Sequence, residues 1–252
     1  MDETAVERLK WIKSRRWFYE FDLPDGTKTQ HDLSPHVFPI HQSRLEKLLW
    51  VIREKVPDAG SLSAFDLASH EGFYSIALSK HFSRVRGYEF RDSSISSARI
   101  ITEAVGATNV EYVQADLQTM AFDPAQTADF VLLFGLLYHL ENPIHTLRLA
   151  SQMSRKHILI ETQVYPYDIS GPIEDGAYYN VRPVQGVFAL SPDYASSREG
   201  GSTEVALIPS LNALVSLMKN FGFSEVMVLP SPEGDYEQFR RGSRVVVYGR
   251  KK

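Results

Sequence analysis

The chain has 252 residues, of which 43% are hydrophobic and 23% charged, and it contains no cysteine. This composition is typical of a globular protein, and the lack of cysteine excludes disulfide scaffolds, thiolate zinc sites and cysteine nucleophiles. The net charge of -4 gives no basic footprint for general nucleic-acid binding. The longest apolar run, residues 130–140, is too short to span a bilayer, and the acidic N-terminus does not resemble a secretory signal, so we expect a cytoplasmic protein without a membrane partner.

Residues 1–58 are predicted to form an N-terminal extension composed of a helix, a small hairpin and a second helix. Apolar residues at helical spacing predict the two helices over residues 4–14 and 45–56. Between them, the aromatic and extended run at residues 17–22 leads into a Pro-Asp-Gly turn sequence at residues 24–26. This pattern indicates a small hairpin or an arm that lies outside the main sheet.

The sequence after residue 59 alternates short apolar runs with helical stretches. The predicted strands lie at residues 63–68, 84–90, 109–115, 128–134 and 157–161, and the predicted helices at 72–82, 94–105 and 143–153. This alternation is typical of a doubly wound parallel sheet. The fourth run is apolar nearly throughout, as expected for a strand that is covered on both faces.

Residues 164–208 break the alternation and are rich in Tyr, Gly, Pro and Ser. We interpret them as an insert that is either a functional lid or contains elements that the sequence does not reveal. A helix over 211–222 and two strands near 225–229 and 244–249 are predicted to follow. A βα series that ends in an antiparallel hairpin resembles the layout of class I methyltransferases. We therefore expect an α/β domain over residues 59–252 with a mostly parallel, seven-stranded, Rossmann-like sheet.

The turn after the first predicted strand reads Asp66-Leu67-Ala68-Ser69-His70-Glu71-Gly72. It resembles motif I of S-adenosylmethionine (SAM) methyltransferases, in which a glycine-rich turn follows an acidic residue. Asp66 and Gly72 match this motif, and Ala68 and His70 occupy its first two glycine positions. A pyrophosphate would be repelled by Glu71, whereas SAM brings no phosphate, so the turn favours SAM over a dinucleotide. Taken alone, Asp66 and Gly72 are equally compatible with simple turn chemistry.

Two further acidic residues follow apolar strands, where ligands bind in a doubly wound sheet. Glu89 ends the second predicted strand, in a place where a carboxylate can accept both ribose hydroxyls, and Asp116 follows the third. In the methyltransferase family an Asp at this second place accepts a hydrogen bond from the adenine amino group. Phe90 and Leu117 are apolar at the positions expected to sandwich adenine. Each acid alone is more often solvated, but the three in this order predict SAM binding.

The fourth predicted strand and the segment after it read Phe134-Gly135-Leu136-Leu137-Tyr138-His139-Leu140-Glu141-Asn142-Pro143. This segment resembles the "LYH…P" segment of the tRNA wobble-uridine carboxymethyltransferase family and its small-molecule methyltransferase relatives. Ile160-Glu161-Thr162 and Ile208-Pro209-Ser210 are similar to two other motifs of that family. The resemblance implies that Tyr138 and His139 lie over the methyl-bearing sulfur, and we place Phe134 among the cofactor-binding residues. Packing at a helix start is the alternative for both Tyr138 and His139.

Methyl transfer to an alcohol or phenol benefits from a general base, whereas an amine near its own pKa needs little help. His139 is the best candidate because an imidazole titrates near neutrality, and Glu161, at the end of the fifth strand, is the second. We expect His70 to position the methionyl end of the cofactor. No ligand spacing in the sequence indicates a metal site.

We therefore expect a SAM-dependent methyltransferase that acts on an oxygen or nitrogen of a small organic molecule. A tRNA-modifying enzyme that transfers a carboxymethyl or methyl group is the second interpretation, against which the acidic balance weighs. A non-catalytic SAM-binding protein is the third, suggested by the missing glycines of the turn. The resembling tRNA enzymes hold a carboxylated SAM through cationic and tyrosyl groups, of which the sequence clearly retains only Tyr138, so ordinary SAM is the expected donor.

Overall fold

A computed structural model of the chain describes residues 3–175, 180–193 and 203–252. Its helices are α1 (Glu3–Lys13), α2 (Pro39–Lys55), α3 (Phe73–Ser79), α4 (Asp92–Ala104), α5 (Pro143–Met153), α6 (Leu211–Asn220) and α7 (Glu237–Arg240). Its strands are β1 (Arg16–Trp17), β2 (Gln30–His31), β3 (Ser63–Leu67), β4 (Arg84–Glu89), β5 (Val110–Gln114), β6 (Ala128–Phe134), β7 (Ser154–Gln163), β8 (Ser170–Asp175), β9 (Asn180–Gln185), β10 (Phe188–Pro192), β11 (Val205–Pro209), β12 (Glu225–Val228) and β13 (Arg244–Arg250). Short 3₁₀ helices lie at Ala59–Ser61 and Leu137–His139.

The main sheet has seven strands in the order β12-β13-β7-β6-β3-β4-β5. β3, β4 and β5 pair in parallel, and β13 runs antiparallel to both β7 and β12. The predicted α/β fold, with a mostly parallel seven-stranded sheet that ends in an antiparallel hairpin, is thereby confirmed. β6 is buried along most of its length, in agreement with its uninterrupted apolar sequence.

The chain forms two compact units, which are described separately below. The first contains residues 1–120 and 128–132, and the second contains residues 121–127 and 133–252. This division differs from the predicted boundary between residues 58 and 59, which stays a prediction about how the sequence is organised. Among the described residues, none of the helices combines the length and the hydropathy that a membrane span needs.

The N-terminal extension contains the predicted turn but not one continuous hairpin. An antiparallel bridge between Asp22 and Lys28 closes the Pro-Asp-Gly turn. β1, however, pairs with β2 in parallel, so residues 16–31 do not form a single antiparallel hairpin. The side chain of Trp17 is fully buried, and its Nε1–H donates a hydrogen bond of 2.9 Å to the carbonyl of Ile12 at the end of α1. This contact ties the arm to the first helix.

The insert contains two antiparallel hairpins, β8–β9 and β10–β11, which the sequence did not reveal, and its function as a lid stays a prediction. Its base is tied to the N-terminus of α6, where Ser210 is the N-cap and accepts a hydrogen bond from the N–H of Ala213. Asp168 accepts hydrogen bonds from the Ser210 hydroxyl at 2.8 Å and from the N–H of Asn212 at 3.0 Å. Tyr178, Tyr179 and Tyr194 of the insert lie outside the described residues.

Candidate functional site

The turn after β3 keeps the backbone conformation of a glycine-rich loop, although two of its glycine positions hold other residues. Ala68 has a φ of 63° and His70 a φ of 48°, both in the left-handed region that glycine adopts most readily. Gly72 follows with a φ of 82° and is the N-cap of α3. A non-glycine residue in this region costs on the order of 1–3 kcal/mol. The turn is therefore held in place by surrounding contacts.

Gly72 is fixed by packing as well as by its backbone angle. A Cβ atom at this position would lie 2.2 Å from the hydroxyl oxygen of Tyr112 and 3.2 Å from the Cβ of Ala98. Tyr112, on β5, is itself held by a hydrogen bond of 2.8 Å with the hydroxyl of Thr102 on α4. Because Gly72 has no side chain, the ring of Tyr112 on β5 can pack directly against the turn.

Glu89 connects the end of β4 to this turn. Its Oε2 accepts a hydrogen bond of 3.0 Å from the N–H of His70, and its Oε1 accepts one of 2.9 Å from the N–H of Arg91. The carboxylate is buried, and each of its oxygens can accept more than one hydrogen bond. Glu89 therefore supports the left-handed residue His70 and keeps acceptor capacity for a ligand.

Asp66 lies inside the unit. It is only 2% exposed, and its Oδ2 accepts a hydrogen bond of 2.6 Å from the hydroxyl of Ser75 on α3. Burial, and more weakly the nearby Glu89 carboxylate, raises the pKa of Asp66 to about 7, against the hydrogen bond from Ser75, which lowers it. This acid holds β3 to α3, and its contact with the cofactor stays a prediction.

The predicted adenine-binding residues gather at the carboxyl ends of β4 and β5. The N–H of Ala115 donates a hydrogen bond of 2.9 Å to the carbonyl of Glu89, which brings the two strand ends together. Phe90 is 52% exposed, so its ring is accessible to a planar group, whereas Leu117 is buried. Asp116 accepts a hydrogen bond from the N–H of Gln118 through Oδ1. A carboxylate, an accessible aromatic ring and a buried leucine at one sheet edge fit an adenosine.

The N-terminal extension also contacts the turn, which the sequence did not indicate. Glu71 is buried, and its Oε2 accepts a hydrogen bond of 2.8 Å from the N–H of Phe18, while Arg15 lies 3.7 Å from its other oxygen. The ring of Phe18 packs 4.8 Å from the ring of His70. The Glu71 carboxylate therefore binds the N-terminal extension, and the expectation that it repels a pyrophosphate stays a prediction.

In the second unit, Tyr138 and His139 lie in the 3₁₀ helix that follows β6, with ring centroids 4.3 Å apart. The Nδ1 atom of His139 is 3.3 Å from Oδ1 of Asp193, which directly follows β10 in the insert. Both side chains are largely buried, at 18% and 11% exposure. Phe134, which we placed in the cofactor site, ends β6 and is buried. This unit brings a tyrosine, a histidine and a carboxylate together.

Glu161 forms a buried ion pair. Its Oε1 accepts a hydrogen bond of 2.6 Å from the guanidinium of Arg244 on β13, and the two side chains are 0% and 4% exposed. The guanidinium also lies 4.8 Å from the ring centroid of Tyr138 and donates to Oε1 of Gln238 at 2.8 Å. A proton on Glu161 would leave a buried guanidinium without its counter-charge, which is strongly unfavourable. Of the two candidate bases, His139 is therefore better suited.

Asp193 and Arg244 are the residues that the sequence analysis missed. Arg244 opens the last strand, and a charged residue at the start of a strand is ordinarily solvated, so only its pairing with Glu161 distinguishes it. Asp193 directly follows β10, a strand whose burial pattern alternates only weakly and which lies in a segment rich in turn residues. No group of three or more His, Asp or Glu side chains that could hold a metal lies within the described residues.

Residues 65–157 match a family described as a methyltransferase domain. This match begins in β3 and ends in β7, and it includes the turn after β3, the carboxyl ends of β4 and β5, and the Tyr138–His139 segment. A search of curated proteins found no significant match.

Several solved structures share the fold. The N-terminal domain of EvdMO1, solved in the presence of S-adenosylhomocysteine (SAH) and D-fucose, is 22% identical with a TM-score of 0.71, over 100% of this chain and 98% of that one. Magnesium protoporphyrin IX methyltransferase (ChlM) from Synechocystis PCC 6803 with bound SAH is 12% identical with a TM-score of 0.58, over 99% and 95%. The glycopeptide N-methyltransferase MtfA in complex with SAM is 15% identical with a TM-score of 0.57, over 88% and 100%.

At these identities the likeness is one of fold. The chain therefore has the fold of these methyltransferases, which were solved with SAH or SAM, and residues 65–157 also match the methyltransferase domain family.

Proposed function

We propose that this chain transfers a methyl group from SAM to an oxygen or nitrogen atom of a small organic molecule. The observation that carries the proposal is the arrangement at the carboxyl ends of β3, β4 and β5, where a left-handed turn, the buried Glu89 carboxylate and the exposed ring of Phe90 adjoin one another. These groups supply what an adenosine and a methionyl end require, without a phosphate site.

When bound, SAM supplies the activated methyl group. In the proposal, Glu89 accepts hydrogen bonds from the ribose hydroxyls with the acceptor capacity that its two backbone contacts leave. Phe90 and Leu117 flank the adenine, and Asp116 accepts a hydrogen bond from its amino group. Ala68, His70 and Gly72 place the turn's backbone beside the methionyl end. His139 acts as the general base where the acceptor needs one.

A small-molecule acceptor is supported by the neighbours and by the charge of the chain. The similar EvdMO1 domain was solved with D-fucose, and the similar MtfA is a glycopeptide N-methyltransferase. The net charge of -4 gives no electrostatic reason to expect RNA. The finer resemblance to the tRNA-modifying family stays a prediction, and no feature of the described residues favours it over a small molecule.

A thermal-shift titration with SAH tests the cofactor site, because a ligand that binds the folded state raises the melting temperature. Glu89→Ala should weaken SAH binding by about 1–3 kcal/mol, the cost of unmet hydrogen bonds to a charged group. Glu111→Gln is the matched control, since this acid lies on neighbouring β5 and pairs with Arg84 and Arg86. A shift with NAD and none with SAH would contradict the proposal, and methyl turnover would separate an enzyme from a non-catalytic binder.

A further inference from the structure

Asp193 is held against His139 by the insert. β10 and β11 pair antiparallel up to the Pro192–Val205 register, and the N–H of Asp193 then donates a hydrogen bond of 2.9 Å to the carbonyl of Glu204. On β11, the second strand of this hairpin, the N–H of Leu207 donates a hydrogen bond of 2.9 Å to the carbonyl of Leu140, the residue directly after His139. The hairpin and the 3₁₀ helix are thus joined through their backbones beside the 3.3 Å side-chain contact.

The chemistry of this contact determines which nitrogen of His139 can act as a base. An ionised carboxylate only accepts hydrogen bonds, so a neutral imidazole facing it through Nδ1 must carry its hydrogen on that atom. Nε2 then has the free lone pair that a base requires. The same carboxylate stabilises the imidazolium after proton uptake, as the aspartate does in a Ser-His-Asp triad.

An orienting carboxylate is useful for only one of the two acceptor classes left open by the proposed function. An amine near its own pKa reaches its free-base form by exchange with water, whereas an alcohol oxygen must lose its proton as the new bond forms. Glu161 cannot take that proton without breaking its buried ion pair with Arg244. The insert therefore supplies a group that serves a hydroxyl acceptor.

We infer that Asp193 is a positioning residue that holds His139 as a base through Nε2, and that the acceptor is a hydroxyl group of the organic substrate. This inference rests on the proposed function. The acceptor oxygen forms a bond to the methyl carbon while the sulfur–carbon bond breaks, and the electron pair of that bond neutralises the sulfonium. The hydroxyl proton goes to Nε2 of His139 and then to solvent. The products are a methyl ether, SAH and one proton.

The tautomer of His139 can be measured without the substrate. Long-range ¹H–¹⁵N NMR spectra of histidine-labelled protein saturated with SAH distinguish Nδ1–H from Nε2–H, and His139→Gln assigns the signals. We expect the neutral ring of the wild type to carry Nδ1–H and that of Asp193→Asn to carry Nε2–H, because the amide offers a donor to Nδ1. Glu237→Gln, an exposed acid-to-amide change on α7, should leave the wild-type signal unchanged.

The acceptor atom is identified by the fate of a labelled methyl group. The protein is incubated with [methyl-¹³C]SAM and a small-molecule extract of the cells that express it, and the ¹³C chemical shift of the product separates O-methyl from N-methyl. We expect an O-methyl signal whose rate of appearance falls about 10²-fold in Asp193→Asn. The double variant with His139→Ala should be no slower than His139→Ala alone, since Asp193 acts through that ring.

An Nε2–H tautomer in the wild type, or an N-methyl product, would overturn the inference and leave the proposed function intact. Failure to bind SAH in the same sample would instead remove the proposed function. The inference about Asp193 would also be overturned if the rate losses of Asp193→Asn and His139→Ala were fully additive in the double variant, because Asp193 would then act independently of His139.

Discussion

Replacement of Asp66 by Asn should change how the stability of the protein depends on pH. Asp66 is 2% exposed, and its pKa is raised from 3.8 to about 7, chiefly by burial. The folded state therefore binds this proton more tightly than the unfolded chain. The stabilisation is fully present below the unfolded pKa, and the free energy of unfolding falls as the pH rises from about 4 to about 7, after which it levels off.

The size of the effect follows from the width of that window. Within this window, each pH unit lowers the free energy of unfolding by about 1.36 kcal/mol. The roughly two units between pH 5 and pH 7 therefore lower that of the wild type by about 3 kcal/mol. Asn has nearly the same shape, can still accept the hydrogen bond from Ser75 and does not ionise. Between pH 5 and pH 8, Asp66→Asn should therefore become about 3 kcal/mol more stable relative to the wild type.

Urea unfolding of both proteins at pH 5, 6, 7 and 8 measures this difference. Asp123→Asn is the control, because this acid is exposed in the loop before β6 and its replacement should give a curve parallel to that of the wild type. If Asp66→Asn also runs parallel to the wild type, then Asp66 is ionised in the folded protein throughout this range, and the argument from burial fails.

Three other predictions concern the turn, the base and the donor. Gly72→Ala should destabilise the protein by at least about 2 kcal/mol more than Gly106→Ala in urea unfolding, since both residues have a left-handed φ but only the first would place its methyl group 2.2 Å from a tyrosine hydroxyl; equal losses would contradict the packing argument. His139→Ala should lower the rate of methyl transfer by ~10²-fold while SAH affinity stays within about twofold, and unchanged turnover would make this residue a packing residue. Ordinary SAM should bind more tightly than its carboxylated form, because Arg244, the cation beside the Tyr138 ring, is already paired with Glu161; a preference of about tenfold or more for the carboxylated form in competition binding would refute this reasoning.

The elements that the sequence predicted best are those with a continuous physical signal. β6 and α5 have the bounds that were predicted, since a strand covered on both faces is an unbroken apolar run and Asn142 caps the helix before Pro143. β7 begins at Ser154, before the predicted residue 157. Its first residues were missed because Arg155 and Lys156 are exposed and give no hydrophobic signal. α7 has only four residues, too few to show a helical period.

The candidate residues of the two units differ in how far the sequence could predict them. Glu89 and Asp116 were found because parallel strands end at one edge of the sheet, so their order along the chain implies their proximity in space. Asp193 is separated from His139 by 54 positions and reaches it through a hairpin whose pairing no local pattern specifies. The pairing of Arg244 with Glu161 likewise depends on the register of β13 against β7.

The number of motif glycines is a poor guide to the backbone conformation of the turn after β3. Ala68 and His70 occupy positions where the motif has glycine, yet both adopt the left-handed conformation. The N–H of His70 donates to the buried carboxylate of Glu89, and such a charge-assisted bond is worth about 1.5–3 kcal/mol, the same order as the strain of a non-glycine residue there. The conformation is therefore maintained by an acid from the neighbouring strand. The missing glycines consequently give no support to a degraded, non-catalytic cofactor site, because the backbone that glycine would have provided is still present.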